Sequence, residues 1–294
     1  MRRRIARESR VWVAQALKLQ TILLAKREGV RYERTNNDSQ NAPMLAVNRK
    51  LGYKPEPGIY HLLRTLYMRS PGKPSFLLRI YRLQQGDPSI LWQGDGSRRK
   101  IALTFDDGPH STDTPRVLEA LARYEVRATF FLVGRYVERH PDIVRQIHQN
   151  GHLLGIHCYR HVPFPLEHST NLRAQLERTR NAIAGICGIS PETIRHIRPP
   201  YGIFTRRTLS LLEGMGFQLV LWDNMPLHFI QPLHWTVTQL VKRVSPGSVI
   251  VLHDGHGHGT RAAEIVESVV PQIQAVGIEF VTVDEMQNSE NRLG

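Results

Sequence analysis

Five short stretches of this chain combine residue types that hydrolytic chemistry needs. Asp106 and Asp107 are adjacent, and neighbours on an extended strand point to opposite sides, so the two carboxylates take different jobs. His157 and His161 are four residues apart. On a helical turn that spacing sets two imidazoles on one face at chelating distance. Two histidines and one carboxylate leave coordination positions open for water and substrate, as a catalytic metal centre requires and a structural one does not. If Asp107 turns to the metal, Asp106 stays free to act as a base beside it. Arg198, Asp223 and the pair His253 and Asp254 add a cation, a carboxylate and an imidazole able to give a proton near neutral pH. Cys158, beside the first histidine, reads as a small buried residue rather than a ligand. Asp-Asp-Gly-Pro alone is a common turn and a lone pair of histidines is often merely exposed, so only the set is specific.

The elements around these residues place them together. Short runs rich in strand formers are expected at 101–105, 128–133, 152–156, 194–197, 217–222, 248–252 and 278–283. Helical spacing is expected between them at 114–124, 141–149, 171–186, 205–215, 236–244 and 260–275. Strands alternating with helices predict a parallel sheet with helical crossovers. About seven strands nearly close a (β/α) barrel, with an open doubly wound sheet as the alternative. Each polar residue follows the carboxyl end of a strand: Asp106 and Asp107 the first, His157 and His161 the third, Arg198 the fourth, Asp223 the fifth, His253 the sixth. In a parallel barrel those ends converge on one face, where barrel enzymes keep their chemistry.

The remainder of the chain differs in charge. The 294 residues carry 39 Lys and Arg against 26 Asp and Glu, a formal charge of +13. Residues 1–100 hold 21 of the bases and 7 of the acids, and Lys242 is the one lysine beyond Lys100, so the whole excess lies in the first third. The expected organisation is a basic, mostly helical extension with a linker over 1–95 and a near-neutral barrel over 96–294. The apolar run 11–25 is interrupted by Gln15, Lys18 and Gln20, poor for a secretory signal, and suits a basic amphipathic helix on an anionic membrane or cell-wall surface. No run of 18 uncharged apolar residues is present to span a membrane. Two cysteines, Cys158 and Cys187, make a disulfide framework unexpected. No aromatic residues are interleaved with the basic ones, so nucleic acid is not an expected partner.

Thr104 to Pro109, His157 with His161, Arg198-Pro-Pro-Tyr-Gly202 and Leu252-His-Asp254 together resemble the motifs of the NodB-homology polysaccharide deacetylases, in that family's order. The resemblance spans roughly residues 100–286. It implies a distorted (β/α) barrel with fewer than eight strands, and removal of acetyl groups from N-acetylglucosamine units of peptidoglycan or chitin-like oligomers. It further implies Asp106 as general base and Asp107, His157 and His161 as ligands of one divalent metal, zinc first, with cobalt, nickel or manganese as alternatives. Arg198 would orient the base, the backbone N–H of Tyr201 would help hold the oxyanion, and His253 would be the general acid. Trp222 and Leu252 would wall the pocket for the acetyl methyl. The chemistry agrees: an amide carbonyl is a poor electrophile, and a divalent metal polarises it while lowering the pKa of bound water towards about 7.

Two departures stand out. Cys158 takes the place of a Ser or Thr whose hydroxyl steadies the metal loop. His228 stands where the family has an aspartate that contacts the catalytic histidine, leaving Asp223 as the other carboxylate nearby. Gly255 to Gly259 reads as a Gly-rich turn carrying His256 and His258. Other functions consistent with the sequence are hydrolysis of a different amide or ester on the same fold, and an inactive surface-anchored binding module. The family's work on cell walls implies the cell envelope, whereas the chain taken literally shows no leader and reads as cytoplasmic.

Overall fold

In the computed structural model the described residues are 87 and 89–288, except 227, 229–230 and 256–258, with the short stretches 32–36, 46, 48–51, 54–55 and 61–65 before them. The amphipathic segment 11–25 and the imidazoles of His256 and His258 lie outside the described residues. The chain divides into two units, Met1–Ile80 and Tyr81–Gly294. Within the first, β1 (Tyr32–Asn36), β2 (Lys54–Pro55) and β3 (His61–Thr65) form an antiparallel sheet in the order β1-β3-β2. The described part of the basic extension is therefore built from strands as well as helix.

The second unit carries the seven expected strands, β5 (Lys100–Asp106), β6 (Thr129–Val133), β7 (Leu153–Cys158), β8 (His196–Ile197), β9 (Gln218–Val220), β10 (Val249–His253) and β11 (Glu279–Val281). All pair in parallel, in the order β10-β5-β6-β7-β8-β9, with β11 on the first residues of β5. One more strand, β4 (Ile90–Leu91), pairs with β9, ahead of the 95/96 boundary read from sequence. Two residues are too few to show a period, so this strand had no sequence signal. Between the strands lie α1 (Asp113–Arg123), α2 (Gly134–Arg139), α3 (Pro141–Gln149), α4 (Ser169–Cys187), α5 (Arg206–Glu213), α6 (Leu233–Arg243) and α7 (Gly259–Ala275), and α8 (Val283–Asn288) follows β11. Local chemistry sets their ends: the Thr205 hydroxyl caps α5 by accepting from the Thr208 N–H at 3.2 Å. Gly188, at φ 65°, closes α4 in the left-handed conformation.

Alternation along each strand divides its side chains between two clusters. Ile101, Leu103 and Phe105 of β5, with Phe130, Ile156, Ile250 and Leu252, pack outward against Val117, Leu121, Ile147 and Leu176 of the helices. Ala102, Phe131, Val220, Val249 and Val281 fill the inner side with Leu91 and Met286. Each such fully buried aliphatic or aromatic side chain stabilises by about 1.5–3 kcal/mol. Towards the carboxyl ends the inner face turns polar, through Thr104 and Asp106 on β5, His157 on β7 and Arg198 just after β8. The sheet is thus a distorted (β/α) barrel, as the alternation implies.

The segment after β9 closes the barrel on β10. Asn224 bridges Ile250 in parallel. The Asp223 carboxylate accepts from the Val249 N–H at 2.6 Å and from the Ser248 hydroxyl at 2.9 Å. Asp223 is therefore committed to the start of β10, away from His253 at its end, and does not replace the missing aspartate. Asp223→Ala is expected to lower the unfolding free energy by about 1–3 kcal/mol, by leaving the buried Val249 N–H and Ser248 hydroxyl unmatched, while metal stoichiometry is unchanged. Urea denaturation and metal analysis of the same preparation check both parts.

Candidate active site

Three ligand-type side chains meet above β5 and β7. Asp107 lies one residue past β5 with φ 75°, a left-handed corner that swings its carboxylate over the strand ends. His157 Nε2 is 3.4 Å and His161 Nε2 2.9 Å from Asp107 Oδ1. One donor atom from each residue falls within 4.8 Å of the others. His161 is not on a helix. Its backbone has φ 55°, and its N–H donates to the Cys158 sulfur at 2.9 Å, which folds the loop so that both imidazoles face Asp107. Cys158 thus steadies the metal loop as an acceptor in place of a hydroxyl. Burial pushes its thiol well up, so it stays neutral in the metal-free protein, and the donor group among the described residues comprises Asp107, His157 and His161.

The donor set fits a divalent ion. His157 Nδ1 lies 2.8 Å from the Arg198 carbonyl oxygen, which can only accept, so Nδ1 carries the proton and the Nε2 lone pair faces the cluster. Burial opposes ionisation of Asp107, but hydrogen bonds from His157 and His161 outweigh it and hold the carboxyl far below its usual range. Burial likewise opposes a charged His157, while the Asp106 charge and the bond to Asp107 raise it above its usual value. The cluster therefore attracts a cation: a proton on His157, or a divalent ion in its place.

Beside it stands a second carboxylate of different character. Asp106 is 3% exposed and its Oδ1 accepts from Arg198 Nη1 at 2.7 Å. Arg198 is wholly buried and also donates to the Thr104 hydroxyl at 2.7 Å and to the carbonyls of Val220 and Leu221 at 3.2 and 3.0 Å. Its guanidinium lies 4.1 Å from the Phe131 ring centroid and 5.5 Å from that of Trp222. A carboxylate held this way has its Oδ1 anchored on a fixed cation.

The loop after β8 brings Tyr201 and Trp222 to the same place. Tyr201 has φ 61° and its ring packs edge-on to His161 at 4.8 Å. Gly202, φ 66°, lies so close to Trp222 that a Cβ would come within 2.8 Å of the indole. Leu252 is not at the site. It belongs to the outer, helix-facing cluster, because alternate residues of β10 face opposite ways and His253 faces in. Val251, fully buried, shares the His253 face by the same alternation.

His253 and His228 stack, with ring centroids 5.2 Å apart and planes at 30°. His228 is fully buried, and its Nδ1 lies 3.2 Å from the Pro226 carbonyl oxygen. Burial lowers the His253 pKa, the charges of Asp106 and Asp107 act the other way, and His157 and Arg198 lower it again, for a net fall. Two further residues were not assigned roles from sequence. Asp254, fully buried and pushed up to about 7 by burial, accepts from the Thr114 hydroxyl at 2.5 Å. A buried carboxylic acid one residue past the catalytic-face histidine was visible in the sequence, but its partner on α1 was not.

The sequence profile of the family described as polysaccharide deacetylase matches residues 93–220. The chain is 33% identical over 207 residues to a peptidoglycan-N-acetylglucosamine deacetylase of Bacillus cereus, across 69% of this chain and 74% of that protein. It is 31% identical over 193 residues to a chitooligosaccharide deacetylase of Azorhizobium caulinodans, across 62% and 91%. Its fold matches the crystal structure of a peptidoglycan N-acetylglucosamine deacetylase with a TM-score of 0.65 at 29% identity, over 68% of this chain and 93% of that one.

One divalent metal ion per chain is expected by metal analysis of dialysed protein, and none in His157→Ala. Because proton and metal compete for His157, whose pKa is raised in the metal-free protein, affinity is expected to weaken as pH falls, beginning above the ordinary imidazole value of about 6.5. Equilibrium dialysis on both sides of that range reads this directly. A pH-independent affinity, or full stoichiometry in the variant, removes His157 from the ligand set.

Proposed function

Because the chain belongs to the polysaccharide deacetylase family, we propose that it is a metal-dependent hydrolase that removes N-acetyl groups from N-acetylglucosamine-containing polysaccharide, either peptidoglycan or chitin-like oligomers. The observation that carries this is the meeting of two differently built centres on one barrel face: the Asp107, His157 and His161 donors, and Asp106 locked to buried Arg198. A divalent ion on the three donors, taken as zinc, supplies Lewis-acid polarisation of the amide oxygen and activation of water. Asp106 takes the proton from the attacking water, and Arg198 holds its carboxylate in place. The Tyr201 N–H donates to the oxyanion, and loss of such a donor typically costs about 10²–10³ in rate. His253 gives the proton that the departing amine needs. Trp222 and Val251 bound the space for the acetyl methyl.

Peptidoglycan as substrate supports work at the cell envelope. No helix among the described residues is long and apolar enough to cross a membrane. The basic excess of residues 1–100 provides a contact with an anionic membrane or wall surface, at about 1 kcal/mol for each basic residue close to an anionic leaflet. Residues 96–294 then form the catalytic domain, together with the β4 pairing.

Metal-replete protein is expected to release acetate from N-acetylglucosamine oligomers or peptidoglycan. Absence of release from both sinks the substrate class. Asp106→Asn is expected to keep one zinc per chain and lose at least about 10²-fold in kcat, because a base is removed and a ligand is not. Its buried Arg198 is left without a counter-charge, so rates are read well below the melting transition.

For His253 the sign is as follows: an acid with a lowered pKa is protonated only at lower pH, so the basic limb of the pH–rate profile falls below about 6.5. His228→Asp restores a carboxylate beside it and moves that limb up. A limb that stays in place would separate His228 from the acid.

Co-sedimentation with anionic vesicles tests the surface contact. Binding is expected for the full chain at low salt, weaker at high salt, since exposed charges are screened over about 10 Å at 0.1 M. Salt-insensitive binding, or none, refutes it.

A further inference from the structure

Thr114 and Asp254 have no part in the chemistry above, yet both are fully buried. Thr114 sits in the first turn of α1. Its hydroxyl accepts from the His110 N–H at 2.8 Å and donates to Asp254 Oδ2 at 2.5 Å. The Asp254 N–H donates to the Asp106 carbonyl oxygen at 3.1 Å. The Asp254 carboxyl also lies directly against Gly108, where a Cβ would stand 2.5 Å from Oδ2 and 2.6 Å from Oδ1. Gly255 closes on the next corner in the same way, its would-be Cβ 2.5 Å from the Asp107 carbonyl oxygen. The segment 106–110 is thus gripped at Asp106, Gly108 and His110, on both sides of Asp107.

Asp107 needs such a grip. Its φ of 75° is a conformation that side-chain-bearing residues resist, and a relaxed backbone would turn its carboxylate off the two imidazoles. The clamp is not there for hydrogen bonding alone, because Asp254 Oδ1 is buried with no hydrogen-bond partner. Its shape against Gly108 is what that oxygen contributes.

We propose that Thr114 and Asp254 are positioning residues that hold Asp107 in its left-handed corner, so that its carboxylate meets His157 and His161 in metal-binding geometry. This rests on the metal centre proposed above. Neither residue touches the metal or the reacting atoms; they act through the backbone of residues 106–110. Supporting groups behind metal ligands typically change affinity by about 10–100-fold when lost.

The test is the zinc dissociation constant of the full chain, measured by competition with a chromophoric chelator. Thr114→Val is expected to weaken binding at least about tenfold with one site per chain retained, and Thr114→Ser to restore it. Thr236→Val, a buried threonine on α6, serves as the control for general loosening and is expected to bind like the wild type. Asp254→Ala is expected to weaken binding as Thr114→Val does, and the double variant no further than the weaker single, since the two act as one unit. Wild-type affinity in Thr114→Val, a loss matched by Thr236→Val, or additive losses overturn the clamp. If Asp254→Ala does not fold, the Thr114 pair decides alone. A wild type that binds no zinc overturns the metal centre itself, an outcome distinct from failure of the clamp.

Discussion

The Arg198 guanidinium is a full positive charge with no exposed surface. Taking such an ion out of water costs several kcal/mol even after relaxation, so it persists only where its donors are nearly all used. Here they are: Asp106, Thr104 and the carbonyls of Val220 and Leu221 accept from it, and Phe131 and Trp222 lie against it. Those partners come from β5, β6 and the end of β9, so one residue after β8 ties four strand ends at one depth. Its own carbonyl accepts from His157, which sets the tautomer of a metal-ligand candidate. Removing either half of the Arg198 and Asp106 pair leaves the other charge buried alone, worth about 3–5 kcal/mol. Base geometry, ligand tautomer and barrel stability are therefore coupled through a single side chain.

Around that anchor three of the site residues sit on strained corners, while Asp106, His157 and His253 stay on strands. Asp107, His161 and Tyr201 all have positive φ although none is glycine. Each such corner costs about 1–2 kcal/mol and persists only if its surroundings over-determine it. The surroundings differ. Asp107 has Thr114 and Asp254 beneath it, His161 has the Cys158 sulfur, and Tyr201 has Gly202 packed on Trp222 and its own ring against His161. A left-handed corner lets one short loop reverse the direction of a side chain, which a strand cannot do. That is how adjacent Asp106 and Asp107 reach the same space while serving two centres.

The proposed proton donor, His253, is tuned differently from a carboxylate-supported imidazole. His253 stacks on His228, a second ring that brings no negative charge, and Asp223 is spent on Ser248 and Val249. Burial then dominates and lowers its pKa. Asp106 and Asp107 pull the other way, so the same two carboxylates that line the site also limit how far its pKa falls.

Much of this was legible in the residues. The order of strands and helices followed from short apolar runs broken by helical spacing, because a parallel sheet buries both faces and needs a crossover after every strand. That the polar residues lie at strand carboxyl ends was equally a matter of sequence, and in a parallel barrel it already places them on one face. The three donors, Asp106, Arg198 and His253 came from that reasoning, supported by the motif resemblance. What only the tertiary structure decided depends on direction and on partners far apart in the chain. Leu252 faces the helices and Val251 the His253 side because the pleat turns alternate residues of β10 opposite ways. Asp223 turned to β10, Cys158 proved an acceptor for the His161 backbone, and Thr114 met Asp254 across 140 residues of sequence. No local pattern encodes such contacts: they exist because barrel closure brings separate strand ends within hydrogen-bond reach, and buried polar groups must then find whichever partners the closed barrel supplies.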